Sequence, residues 1–255
     1  MNHKYFLIFI TTCAAITYLF FAKKISVQKD FQTITVGTSA DYPPFSSLNL
    51  KTDEIVGFDI DVAREVCHRL HKKMVLKDIP FASLIFGILS QDIDIIAAGM
   101  SPTPKRAETV SFSNHYIEPD PLMIIAKKSN HSPETIDDLK GKKVAVNSGY
   151  TAEIYLSDKA EIELVRLTSP ADSMLALTTG AVDAFVCARS VAQLILDQQS
   201  NVEHFSSVII PNTGDGCALA VNKNNQDLLE SINLALDSMK QDGTLDKLKA
   251  KWNLK

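Results

Sequence analysis

Along the chain, apolar positions switch between two rhythms. Ile34-Thr35-Val36-Gly37-Thr38-Ser39 alternates and ends in turn residues, which predicts a strand running into a loop. Phe81 to Leu89 has helical spacing, and Ile93-Asp94-Ile95-Ile96-Ala97-Ala98 follows as a buried strand. The second half repeats the order. Lys143-Val144-Ala145-Val146-Asn147-Ser148 is strand and loop, Ser173 to Leu177 is helix, and Val182-Asp183-Ala184-Phe185-Val186 is the next strand. Both late strands open with an aspartate among apolar residues, Asp94 and Asp183, so the chain reads as two similar α/β lobes.

Strands alternating with helices predict mainly parallel sheets covered by helices on both faces. Small ligands bind such sheets beyond the carboxyl ends of the strands. If two lobes face each other, the loops after Val36, Ala98, Val146 and Val186 line the cleft. Ile117 to Pro121, with two prolines, predicts one crossing between lobes, and Ile209-Ile210-Pro211-Asn212-Thr213 a second. The expected organisation is therefore residues 31–116 in lobe 1, 117–121 as hinge, 122–208 in lobe 2, 209–213 as hinge, and 214–255 back in lobe 1. The last part carries helices from Gln226 to Met239 and Thr244 to Trp252, separated at Asp242-Gly243.

Residues 1–30 differ in kind. Lys4 precedes an apolar run from Tyr5 to Ala22, followed by Lys23 and Lys24, the pattern of a secretory signal. The run also approaches the ~17–25 residues of a membrane-spanning helix. Cys13 is a poor lipidation site, and Phe20 is bulky for cleavage after Ala22. Export is expected, with cleavage and retention as an anchor both open.

Composition narrows the classes. The 255-residue chain is 45% hydrophobic and carries a net charge of −4, so no broad basic surface for nucleic acid is expected. Cys67, Cys187 and Cys217 lack metal-ligand spacing and read as small buried hydrophobes. His68 and His71 lie on one helix face without a third ligand, so a solvated face is expected rather than a metal site. There is no Ser-His-Asp order and no phosphate loop, and no cofactor is expected.

Gly57-Phe58-Asp59-Ile60-Asp61-Val62-Ala63-Arg64-Glu65-Val66-Cys67 resembles the signature of the bacterial extracellular solute-binding proteins, family 3, which bind polar amino acids. Tyr42-Pro43-Pro44-Phe45, Gly99-Met100-Ser101-Pro102-Thr103-Pro104-Lys105-Arg106 and Asp242-Gly243-Thr244-Leu245 with Lys251-Trp252 match in the same order, from about Phe31 to Trp252. The resemblance implies a two-lobed Venus-flytrap fold. It also implies a periplasmic or extracytoplasmic solute-binding component of an amino-acid ABC importer, with a permease and an ATPase as partners, and a chain that is a monomer and not an enzyme. Asp59 and Asp61 are expected to serve the scaffold, as N-cap and dipole partners of the signature helix.

By the same resemblance Arg106 grips the ligand's α-carboxylate, a task that suits a bidentate guanidinium. Ser101 adds a hydroxyl, the Gly99 carbonyl meets the α-ammonium, and Met100 lies in the same turn. From lobe 2, the stretch Asn147 to Thr151, with Tyr150, meets the carboxylate through Thr151 at a helix start. Tyr42 and Phe81 sandwich the ligand's side chain, and Ser39, or Asp41 nearby, reads its far end. The carboxylate that relatives direct at the α-ammonium falls on Ala188 here. Asp215 or Asp41 supplies the charge instead, or the ligand is not a standard α-amino acid. The expected ligand belongs to the arginine, glutamine, lysine or histidine class. A dehydratase of cyclic acids on the same scaffold, or a ligand-sensing module, is the alternative.

Overall fold

The computed structural model describes residues 33–198 and 202–254; the apolar run Tyr5 to Ala22 and Cys13 lie outside them. No helix of the described residues is long and apolar enough to cross a membrane.

One five-stranded sheet is built from β1 (Thr33–Thr38), β5 (Lys73–Asp78), β6 (Ile95–Ile96), β7 (Val110–Phe112) and β13 (Ala220–Asn222), in the order β5-β1-β6-β13-β7. A second holds β8 (Leu122–Lys127), β9 (Lys143–Asn147), β10 (Glu163–Leu167), β11 (Ala184–Ala188) and β12 (Phe205–Ile209), in the order β10-β9-β11-β8-β12. Strands β2 (Asp41–Tyr42), β3 (Ser46–Asn49) and β4 (Glu54–Val56) make a small antiparallel sheet. The first sheet therefore takes residues from both sides of the second, which is contiguous in sequence.

Both large sheets are mixed, which departs from the mainly parallel arrangement the alternation predicts. β1 pairs β6 in parallel, while β13 runs antiparallel to β6 and β7. Likewise β9 runs parallel to β10 and β11, while β8 is antiparallel to β11 and β12. In each sheet the antiparallel pairs are made by strands next to a connection between the sheets, where no crossover helix enforces parallel pairing.

The helices are α1 (Phe58–Arg69), α2 (Leu84–Leu89, continuing a 3₁₀ turn from Phe81), α3 (Pro104–Ala107), α4 (Thr151–Ser157), α5 (Pro170–Thr179), α6 (Arg189–Asp197), α7 (Gln226–Gln241) and α8 (Thr244–Lys251). The repeat is structural as well as sequential. Asp94 Oδ2 accepts the Thr35 amide (2.9 Å) and the Asp94 amide donates to Thr35 O (2.7 Å). Asp183 makes the same pair with Lys143, at 2.8 Å each way. Each aspartate thus fastens the start of one strand to the start of its parallel neighbour, satisfying a backbone donor that the ladder leaves over.

The signature helix α1 is scaffold, by a different route from N-capping. Its N-cap is Gly57, with no side-chain cap. Asp59 is fully buried and accepts the Gly99 amide, while Asp61 accepts from Lys251 Nζ and Trp252 Nε1, both at 2.7 Å. Arg69 at the other end donates to Ser238, Asp242 and Thr244. These bonds, together with burial of Val62, Ala63 and Val66, seat the two C-terminal helices on the first half. Cys67, Cys187 and Cys217 are free, buried thiols, and burial, helped by Asp94, pushes Cys67 up to about 11. His68 is exposed on α1, and exposed His71 lies beyond its end.

Candidate functional site

The loops at the strand ends of the two large sheets meet around a cavity of ≈ 30 Å³. From the first half, Tyr42, Phe45, Phe81, Gly99 and Ser101 line it; from the second, Asn147, Tyr150, Thr151, Cys187 and Ala188 do. Asp120 and Asp215, from the two segments that connect the sheets, complete the wall.

Arg106 is not on the cavity wall; it stands behind it, bonded to Ser101, which is. It sits in the short helix α3, where Thr103 is the N-cap and Pro104 the first helical residue; Thr103 Oγ1 accepts the Arg106 amide at 3.3 Å. The side chain is 5% exposed. Its Nη1 donates to Ser101 O and its Nη2 to Gly149 O, both at 2.7 Å, so one guanidinium links the two halves. The same group lies 5.3 Å from the centre of the Phe81 ring. Burial pushes its pKa down to about 10, which leaves it a cation at neutral pH. Among the described residues no carboxylate lies within salt-bridge distance of it.

Two glycines permit the close approach. Gly99 has φ +60°, and a Cβ there would stand 3.1 Å from the Tyr42 ring. Gly149 has φ +81°, and a Cβ would meet Ala82 Cα at 3.2 Å. Both positions need the left-handed region that glycine adopts freely. The Gly149 amide donates to Glu153 Oε2 (2.6 Å), which fixes the turn so that its carbonyl faces Arg106.

Tyr150 departs from the role assigned to its stretch. It is the N-cap residue of α4, without a side-chain cap, and Thr151 is the first helical residue rather than the cap. The Tyr150 ring stacks on Phe81 (4.0 Å between centroids, 22°) and tilts against Tyr42 (4.9 Å, 48°). Such ring pairs add about 0.5–1.5 kcal/mol each. The hydroxyl is buried beside the Ser39 hydroxyl and has no well-formed hydrogen bond. The nearby Ser39 hydroxyl is committed to Asp41 Oδ1 at 2.7 Å.

Three of the expected residues, Ser39, Met100 and Arg106, stay off the cavity wall. Ser39 and Asp41 line a neighbouring depression with Phe81, Ser148 and Thr168. Met100 is 1% exposed and belongs to the core, its carbonyl accepting the Ala218 amide at 3.1 Å. Asn147 reaches the cavity while its side-chain amide donates to Ser173 Oγ (3.0 Å).

Asp120 carries no expectation from the sequence, and Asp59 takes a different partner from the helix N-terminus expected of it. Asp59 holds Gly99 from beneath, and burial pushes its carboxyl up to about 7. Asp120 follows the proline of the first connection and stands near Ala188, the place where an acid is missing. It accepts from Ser190 Oγ (2.5 Å) and lies 3.7 Å from Arg189 Nε; burial raises its pKa, and the Ser190 bonds and the Arg189 charge oppose that rise. The signal was Pro119-Asp120-Pro121 itself, an acid in a stiff segment.

A family model for bacterial extracellular solute-binding proteins, family 3, matches residues 34–255. The chain belongs to that family. Within it, the chain is 34% identical over 224 residues to an ABC transporter arginine-binding protein 1 of Escherichia coli K12, covering 87% of this chain and 90% of that one. It is 31% identical to the histidine-binding periplasmic protein of the same organism, covering 87% of each. Among solved structures, an ancestral arginine-binding protein bound to arginine superposes with a TM-score of 0.81 at 37% identity, covering 87% of this chain and 98% of that one. The fold is the two-lobed Venus flytrap of the family, as the sequence resemblance implies.

Proposed function

We infer that this chain is the solute-binding component of an amino-acid ABC importer, capturing a polar or basic amino acid between its lobes. One observation carries the reading: a buried, charged Arg106 stands between the two halves without a carboxylate of its own. A desolvated cation of that kind is stabilised by an incoming anion, and a carboxylate meets a guanidinium with two parallel bonds. Ser101, Asn147 and Thr151 surround that place with polar groups, and Tyr42, Phe81 and Tyr150 supply aromatic faces.

Asp120, with Asp215 also on the cavity wall, supplies the negative charge for the ligand's ammonium that Ala188 does not. The crossings at 117–121 and 209–213 act as the hinge. Relatives named for arginine and histidine binding support the basic and polar class, and their names describe binders rather than enzymes. A permease and an ATPase receive the cargo from a monomeric protein outside the cytoplasm, which the N-terminal apolar segment exports or tethers.

A thermal-shift screen of the purified chain against the common amino acids tests this. Micromolar binding, about −8 kcal/mol, stabilises the fold by about 2.7 kcal/mol at 100 times the dissociation constant. A screen in which no amino acid raises the melting temperature removes the reading. Asp120→Asn is expected to weaken binding about 10-fold, and unchanged affinity excludes it as the ammonium's partner.

A further inference from the structure

Tyr150 leaves the turn after β9, in the second lobe, and puts its ring among residues of the first. Centroid distances of 4.0 Å to Phe81 and 4.9 Å to Tyr42 place it between them. The preceding carbonyl, Gly149 O, takes a hydrogen bond from Arg106 Nη2 at 2.7 Å. One dipeptide therefore presents an oxygen acceptor to the guanidinium and a flat group to the aromatic pair. An amino acid presents the same two things, with its carboxylate and its side chain. What remains is a cavity of ≈ 30 Å³, room for a water or two, far below the roughly 300 Å³ or more of a ligand pocket.

We propose that Gly149–Tyr150 is a built-in competitor for the site, and that Tyr150 decides which amino acids the clamp accepts: those long and flat enough to displace its ring from between Tyr42 and Phe81. This rests on the reading of the chain as an amino-acid binder and narrows it.

The ring is held in a way that lets it be replaced. Its hydroxyl is buried without a well-formed bond, beside a Ser39 hydroxyl that donates to Asp41. A side chain carrying a cation into the same place brings positive charge towards the Asp41 carboxylate, which the neutral phenol does not. The charge of Asp41 adds to burial in keeping that phenol protonated. A planar guanidinium, able to stack on both rings and to donate at its tip, meets these conditions. A short apolar side chain meets neither, and has nothing to offer in exchange for the lost stacking.

The test is calorimetric titration of the full-length chain and of Tyr150→Ala, Tyr150→Ser and Tyr150→Phe, each with arginine and with alanine as ligand. Removing an internal competitor raises the fraction of molecules open to binding and so the apparent affinity. Tyr150→Ala and Tyr150→Ser are expected to bind arginine about 10-fold more tightly than the parent. Tyr150→Phe, which keeps the ring and deletes only the buried hydroxyl, binds it equally or more weakly. Alanine, which must displace the same ring with less to offer, is expected to gain by a similar factor, so that binding too weak to measure in the parent becomes measurable in the Ala and Ser variants. Arginine affinity that is unchanged or reduced in both the Ala and Ser variants overturns the proposal and leaves the binder reading standing. Loss of folding in both variants overturns it too, since the ring is then a brace. Absence of any amino-acid binding in parent and variants removes the binder reading and this proposal together.

Discussion

In the first half of the molecule, β6 runs out into the Gly99–Ser101 turn and the chain reaches Arg106 through a capped helix of four residues. In the second half the equivalent strand, β11, passes straight into α6 at Arg189. The strands themselves are held alike, each by an aspartate bonded both ways to the start of the neighbouring strand. What differs is the placement of charge. The first half buries ionisable groups, Asp59 beneath Gly99 and Arg106 beside Ser101. The second offers a backbone carbonyl, an amide, a hydroxyl and one aromatic ring. The repeat thus concerns the scaffold, and the chemistry is concentrated in one copy of it.

Arg106→Ala should be the most damaging change to function. It removes the buried cation, and amino-acid binding is expected to fall by at least about 100-fold, roughly 3 kcal/mol, in a thermal-shift or calorimetric titration. The melting temperature without solute should hold, because the guanidinium's desolvation cost disappears with it. An unchanged ligand-induced shift rules out Arg106 as the anchor.

Asp59 gives the first half a pH dependence. Its folded pKa of about 7 lies above the unfolded carboxylate value, so the folded state holds a proton that the unfolded state releases. The contribution is fully present below about pH 4 and is lost as pH rises to about 7, on the order of 4 kcal/mol across the window. The denaturant midpoint of the parent should therefore fall relative to that of Asp59→Asn as pH rises across that window, and the two should run parallel above it. Parallel curves throughout place the carboxyl's titration elsewhere.

Asp94→Ala and Asp183→Ala probe the shared scaffold. Each leaves a strand-start amide without its acceptor, at a cost of about 1–2 kcal/mol in urea denaturation. Solute affinity should change by less than about 2-fold in both. A loss of affinity in one variant alone would show that the repeat is not purely structural.

How much of this could be read from the chain alone follows from distance along it. Alternation and helical spacing are local, so the two copies of strand, helix and strand were legible, together with the cap at Thr103 and Pro104. So was the likeness of Asp94 and Asp183, since both open an apolar strand after a helix. Burial of Cys67, Cys187 and Cys217 followed from their apolar surroundings. Tyr150 gave no such signal: nothing around it in sequence says that its ring will cross to Phe81 and Tyr42. Asp59 misled because an acid in the first turn of a helix has an adequate local explanation, which hides its bond to Gly99. The antiparallel strands were missed because a strand's direction in a sheet depends on where the preceding connection enters, not on its own residues.

The interruption of the first lobe by the second bears on the order of assembly during synthesis. Strand β13, at Ala220–Asn222, is inserted between β6 and β7, and helix α8 is tied back to Asp61 by Lys251 and Trp252. The second sheet has all its strands once Ile209 has emerged, whereas the first waits for nearly the entire polypeptide. Growing from the N-terminus, the chain can finish its later lobe before its earlier one, and the half that houses Arg106 is the last to close.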